Sequence, residues 1–180
     1  MNKRVVVIST SPRLGGNSDL LAEEFARGAT DAGNQVEKIT LAGKSIGFCR
    51  GCLACQNTRR CVISDDAGSI VEKMLTADVI AFATPIYYYE MSGQMKTMLD
   101  RSNPLFTADY AFRDIYMLST AAEDGAEVPE RAVSGLQGWI NCYEQARLAG
   151  TVFGGGVNER GEIRQHPEKL REAYEMGRAV

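Results

Sequence analysis

The chain has 180 residues, 44% of them apolar and 24% charged, with a formal net charge of −3 at pH 7. That length suits one domain with a full core, and the small acidic excess leaves no basic surplus to neutralise a nucleic-acid backbone, so no nucleic-acid partner is expected. No apolar run is long enough to cross a bilayer and the first strand begins almost at Met1, so the expectation is a cytoplasmic protein with no signal peptide and no membrane contact.

Val5, Val6, Val7 and Ile8 form an unbroken β-branched run, expected to be a buried strand. It feeds a turn rich in hydroxyls and glycine, after which Asn17 or Ser18 can cap a helix beginning at Asp19. Strand, loop and helix start together make an anion site, because loop N–H groups and the free first N–H groups of the helix converge where the helix dipole is positive. The hydroxyls of Ser9, Ser11 and Ser18, the Asn17 amide and the Arg13 guanidinium suit a phosphate. An ordinary βα turn is the plainer alternative. Neither G-x-x-x-x-G-K-[ST] nor G-x-G-x-x-G is present, so the loop is not a Mg-nucleotide or dinucleotide fingerprint.

The first helix runs to about residue 32 and is ended by Gly33, and an alternating strand follows at 35–41. Residues 42–64 have no sustained period and hold four of the five cysteines; loops this long are usually functional. Asp65 or Asp66 caps a helix through Ala77, and residues 79–84 form a central strand stopped by Pro85. Further helices are expected from Ser92 or Gly93 to about Ser102, over 128–146 and over 167–177, with strands at 114–119 and 150–153. This alternation implies a parallel sheet with right-handed crossovers, covered on both faces. The fold expected is an α/β three-layer sandwich, a single domain over 1–180 with five strands in order 2-1-3-4-5 and a cysteine-rich loop at about 43–65. Ligands bind such sheets where the first and third strands diverge.

The loop after the third strand should then also face a ligand. It carries Pro85, Ile86, Tyr87, Tyr88 and Tyr89, and three adjacent tyrosines cannot all enter one core, so they suit ring stacking or a subunit contact. The fourth strand ends in a third loop, Ser119-Thr120-Ala121-Ala122-Glu123-Asp124-Gly125.

Ser-x-Arg-x-x-Gly-Asn-Ser at 11–18, Thr-Pro-Ile-Tyr at 84–87, and Met-Ser-Gly-Gln-Met-Lys followed by Leu-Asp-Arg at 91–101 resemble the flavodoxin-fold NAD(P)H-dependent FMN reductase family. The resemblance implies that Ser9, Ser11, Arg13, Asn17 and Ser18 hold the FMN phosphate. It assigns the isoalloxazine edge to Pro85, Ile86, Tyr87 and Tyr88, with further contacts from Ser119, Thr120 and Gly125. No residue is expected to act as a catalytic base, because the flavin ring carries the redox chemistry. His166 is read as a solvated helix cap, Trp139 as core or subunit contact, and Cys142 as a small core residue.

Cys49, Cys52, Cys55 and Cys61 follow the spacing C-x2-C-x2-C-x5-C, in which three thiolates can wrap one face of a cubane cluster and the fourth close it. Zinc fits less well, since structural zinc sites pair two knuckles across a longer stretch. Four reduced thiols remain the alternative. In this position the motif is similar to that of iron–sulfur flavoproteins, which implies a [4Fe-4S] cluster beside FMN. The leading function is an oxidoreductase taking hydride from NAD(P)H and passing electrons to a quinone, nitro compound, flavin or protein. Its rival is an electron carrier without its own NAD(P)H oxidation, and a metal-binding or thiol-sensing module is the outsider. A homodimer or homotetramer is expected, because the ring slot in this fold is often completed by a second subunit.

Overall fold

The structure is a computed structural model that describes residues 2–180. Its sheet holds five parallel strands, β1 (Arg4–Ser9), β2 (Gln35–Thr40), β3 (Val79–Tyr87), β5 (Asp114–Thr120) and β6 (Arg147–Gly154), ordered β2-β1-β3-β5-β6. The two-residue strand β4 (Glu90–Met91) folds back antiparallel on the end of β3. The expected order is therefore present, with β4 added at the ligand end.

The side-chain period of two explains why the central strands are apolar throughout. On β1, Val5 and Val7 face Leu21, Phe25 and Ala173 of α1 (Asn17–Asp31) and α6 (Pro167–Arg178). Val6 and Ile8 face the other layer, which holds Ile70 and Met74 of α3 (Asp66–Thr76), Met95 and Met98 of α4 (Gly93–Arg101), and Leu136 of α5 (Glu130–Ile140).

Several boundaries differ from expectation, each for a local reason. Strand β3 continues through Pro85 to Tyr87, because pairing with β1 has already ended at Ala83 and Pro85 lacks only a donor that no β1 acceptor awaits. Helix α5 ends at Ile140, six residues early, since the chain must turn there to enter β6 at Arg147. The cysteine loop carries a short helix, α2 (Ala54–Thr58), flanked by left-handed Leu53 and Arg59. The cap of α1 is Gly16 and makes no side-chain bond, whereas Asp65 and Ser92 cap α3 and α4 as expected.

Asp65 also does a second job. Arg101, whose side chain is fully buried, donates to both Asp65 carboxylate oxygens at 2.6 and 2.8 Å. The same guanidinium donates to Gly47 O at 2.7 Å and to Ile63 O at 3.3 Å. One arginine on α4 thus ties down both ends of the cysteine loop. Removing one partner leaves the other charge buried and uncompensated, so Arg101→Met should lower stability by about 3 kcal/mol. Urea unfolding checks this, and a loss under about 1 kcal/mol, the value of an ordinary surface pair, contradicts the clamp.

Candidate functional site

At the carboxyl ends of β1, β3, β5 and β6 lies a cleft of about 130 Å3. Ser11, Arg13, Asn17 and Ser18 line it from the first loop, Pro85, Ile86 and Tyr87 from the second, and Thr120 from the third. Gly16, Ala121, Ala122 and, from the segment after β6, Val157, Asn158 and Arg160 complete the wall. Ser9, Tyr88, Ser119 and Gly125 do not line it. Ser9 is buried beneath the loop, Ser119 Oγ donates to Val152 O at 3.5 Å, and Gly125 begins the turn into Val128. Tyr88 is 97% exposed.

The first loop is rigidly built. Ser11 Oγ accepts from Arg13 N at 3.1 Å and donates to Arg13 O at 2.9 Å. Gly15 has φ +64, and a Cβ on Gly16 would stand 2.8 Å from both Arg13 O and Ser11 Oγ, so the turn needs glycine at both positions. Asp19 accepts from Gly15 N at 2.8 Å and lies 2.8 Å from Lys38 Nζ. Burial pushes the Asp19 carboxyl up, but Lys38, the Ser9 hydroxyl and the Gly15 N–H together hold it below its ordinary value.

Asn17 is spent on structure: its Nδ2 donates to Glu159 O at 2.9 Å and its Oδ1 accepts from Ile163 N at 3.1 Å. Arg13 Nη1 donates to Asn158 O at 3.1 Å. Ser18 lines the cleft, and its Oγ is fully buried with no hydrogen-bond partner. The charged side chains on the cleft wall are the two arginines, Arg13 and Arg160. Free helix N–H groups, an unmatched buried hydroxyl and two cations gather where no carboxylate lines the cleft, which suits a phosphate.

The second and third loops are joined. Tyr88 and Tyr89, at φ 51 and 65, form the two-residue turn between β3 and β4, a left-handed pair that costs strain in non-glycine residues. Tyr89 Oη donates to Glu123 Oε2 at 2.6 Å, a bond that holds the phenol protonated and raises its pKa. Buried hydroxyls link the first loop to the second: Thr10 Oγ1 lies 3.0 Å from Ser92 Oγ, and Thr84 Oγ1 accepts from Ser92 N at 3.0 Å. Sequence reasoning missed Thr10, Ser92 in this role, and Arg160.

A second cavity, of about 450 Å3, is lined by Cys49, Cys52, Cys55 and Cys61 together with Leu53, Asn103, Phe106 and Trp139. Asn103 Nδ2 donates to Cys55 Sγ at 3.1 Å and Gly51 N to Cys49 Sγ at 3.5 Å. Cys142, expected in the core, is exposed beyond the end of α5 and lines this same cavity. Among the described residues no three His, Cys, Asp or Glu side chains converge tightly enough to hold a single metal ion. The four cysteines line one cavity, and a donor set of four thiols with N–H groups on two of them is the chemistry a cluster takes.

Residues 3–154 match the family described as NADPH-dependent FMN reductase. The chain belongs to this family of flavin-dependent oxidoreductases. Over 102 residues it is 40% identical to an iron-sulfur flavoprotein of Methanocaldococcus jannaschii, a match covering 57% of this chain and 53% of that protein, so it spans about half that relative's length. An iron-sulfur flavoprotein of Methanosarcina thermophila is 26% identical over 157 residues, covering 86% of this chain and 81% of that one. A solved NAD(P)H:quinone oxidoreductase from Methanothermobacter marburgensis superposes with a TM-score of 0.76 at 17% identity, over 99% of this chain and 96% of that one, which shows the shared fold.

Two carboxylates anchor the two sites, and both titrate low: Asp65 because Arg101 binds it, Asp19 for the reasons above. A carboxylate depressed in the folded state stabilises fully above its unfolded value, ordinarily 3.8, and loses that contribution as pH falls through the still lower folded value. Urea-unfolding free energy should therefore fall on acidification below about pH 4, with a shallower slope in an Asp19→Asn/Asp65→Asn variant. Equal acid slopes in both proteins contradict the assignment.

Proposed function

We propose that the chain is an FMN-dependent oxidoreductase that takes hydride from NAD(P)H and passes electrons to a quinone, nitro compound, flavin or protein acceptor, with a [4Fe-4S] cluster on Cys49, Cys52, Cys55 and Cys61. The observation that carries the flavin reading is the buried, partnerless hydroxyl of Ser18 at the start of α1, in a cleft lined by two arginines and no acid. Arg13, Ser18 and the backbone N–H groups of the loop hold the phosphate, while Ser11 Oγ, committed to Arg13, and Asn17 brace the loop and Ser9 lies buried beneath it. Pro85, Ile86 and Tyr87 border the ring, and Thr120 faces them across the cleft. Ser119 and Gly125 shape the third loop from behind.

Bound FMN supplies hydride acceptance and one-electron transfer, and a bound cluster supplies one-electron transfer alone. The side chains bind and orient: no carboxylate, histidine or lysine lines the cleft, so none is placed to move a proton there. At about 130 Å3 the cleft is smaller than the ~300–1,000 Å3 of an enclosing ligand site, so it holds the phosphate end and leaves the ring open. Tyr87 and Tyr88, 47% and 97% exposed beside that opening, suit a second copy closing over the ring, which supports a homodimer or homotetramer.

The second reading, an electron carrier without its own NAD(P)H oxidation, is favoured by exposed Phe48, Leu53, Val62 and Phe106 around or next to the cysteine cavity, an apolar rim suited to a protein partner. Anaerobic addition of NADPH or NADH to FMN-loaded protein separates the two. Bleaching of the flavin by either is expected, and no bleaching by both favours the carrier. Cys55→Ala should lose iron and acid-labile sulfide after anaerobic reconstitution yet retain FMN, because the two cavities share no lining residue. Iron content equal to that of the unaltered protein, or loss of both groups together, contradicts the separate sites.

A further inference from the structure

The segment after β6 lies beyond residue 154, where the family match ends, yet it forms one wall of the cleft. Its placement is over-determined. Val157 N donates to Ala121 O at 2.9 Å and Gly156 N to Glu123 O at 3.2 Å, which fixes it to the third loop. The Arg13 and Asn17 side chains bind it to the first loop through Asn158 O, Glu159 O and Ile163 N. Glu162 then locks the turn by accepting from Asn158 N and Glu159 N at 2.7 and 2.8 Å.

At the tip of this locked turn, Arg160 lays its guanidinium over Gly15. Its Nη2 is 3.4 Å from where a Cβ on Gly15 would stand, and Arg160 forms no ion pair among the described residues. Arg13, the arginine that the first loop itself supplies, already gives one N–H to Asn158 O. A flavin phosphate near neutral pH carries close to two charges, so one partly committed guanidinium leaves it under-neutralised. Ser18, which lines the same cleft, keeps a buried hydroxyl with no partner, and no acid lines the cleft to pair with either arginine.

We infer that Arg160 is a second cationic ligand of the FMN phosphate, delivered from outside the family-matched segment, so that this chain grips its cofactor with an arginine from each end of the fold. The inference rests on the flavin reading of the cleft. It also gives the bonds of Arg13 and Asn17 to residues 158–163 a purpose: they hold the second arginine in place.

The test titrates apo-protein with FMN and with riboflavin, which shares the ring and ribityl chain but lacks the phosphate, at low and high salt. Arg160→Ala should weaken FMN about tenfold, the low end for a charge-assisted bond at an exposed site, and leave riboflavin unchanged. It should also flatten the salt dependence of FMN binding, with Arg160→Lys recovering part of both. Unchanged FMN affinity in Arg160→Ala overturns the inference. So does an equal loss for both flavins, which means the residue only supports the loop. If the unaltered protein binds neither flavin, the reading of the cleft fails as a whole, an outcome distinct from either result with the variant.

Discussion

Hydrogen-bond donors without an acceptor, held together where three loops meet, are the constraint on which the structure turns. Burying a hydroxyl such as that of Ser18 without a partner is unfavourable by about 1–3 kcal/mol, and arginines placed close together repel. A chain that builds such a place and braces it from below with Asp19 and Lys38 is built to have the deficit met by an anion. The parallel sheet makes this possible, because β1, β3, β5 and β6 all deliver their loops to the same edge.

The two candidate sites have separate anchors. Hydroxyls of Thr10, Thr84 and Ser92 fix the loops around the cleft, whereas the buried Arg101–Asp65 pair fixes the cysteine loop to α4. Separate anchors let a rigid phosphate grip coexist with a loop that carries exposed thiols. Met91 and Ser92 connect the regions, since the same short stretch ends the β3–β4 hairpin and starts the helix bearing Arg101. A shift in α4 would be felt at both.

What the sequence reveals follows the range of the interactions. The opening strand, the alternation of strands and helices, the caps at Asp65 and Ser92, and the three loops at one edge are local patterns, and each is readable from a few neighbours. Arg160 lies 147 positions from Arg13, and Arg101 is 36 from Asp65, so no local pattern announces either. The family resemblance assigns Tyr88 to the ring edge, but in the left-handed turn at 88–89 its side chain is 97% exposed. The misreading of Cys142 has a similar origin: helical spacing placed it with Trp139, and the helix ends before it.

The most direct measurement is a crystal structure of the protein grown with FMN. The account predicts the phosphate against the backbone of Gly15–Ser18 and the Ser18 hydroxyl, with the ring extending over Pro85–Tyr87. A flavin seated instead in the larger cysteine cavity, or a phosphate standing clear of the first loop, would contradict it.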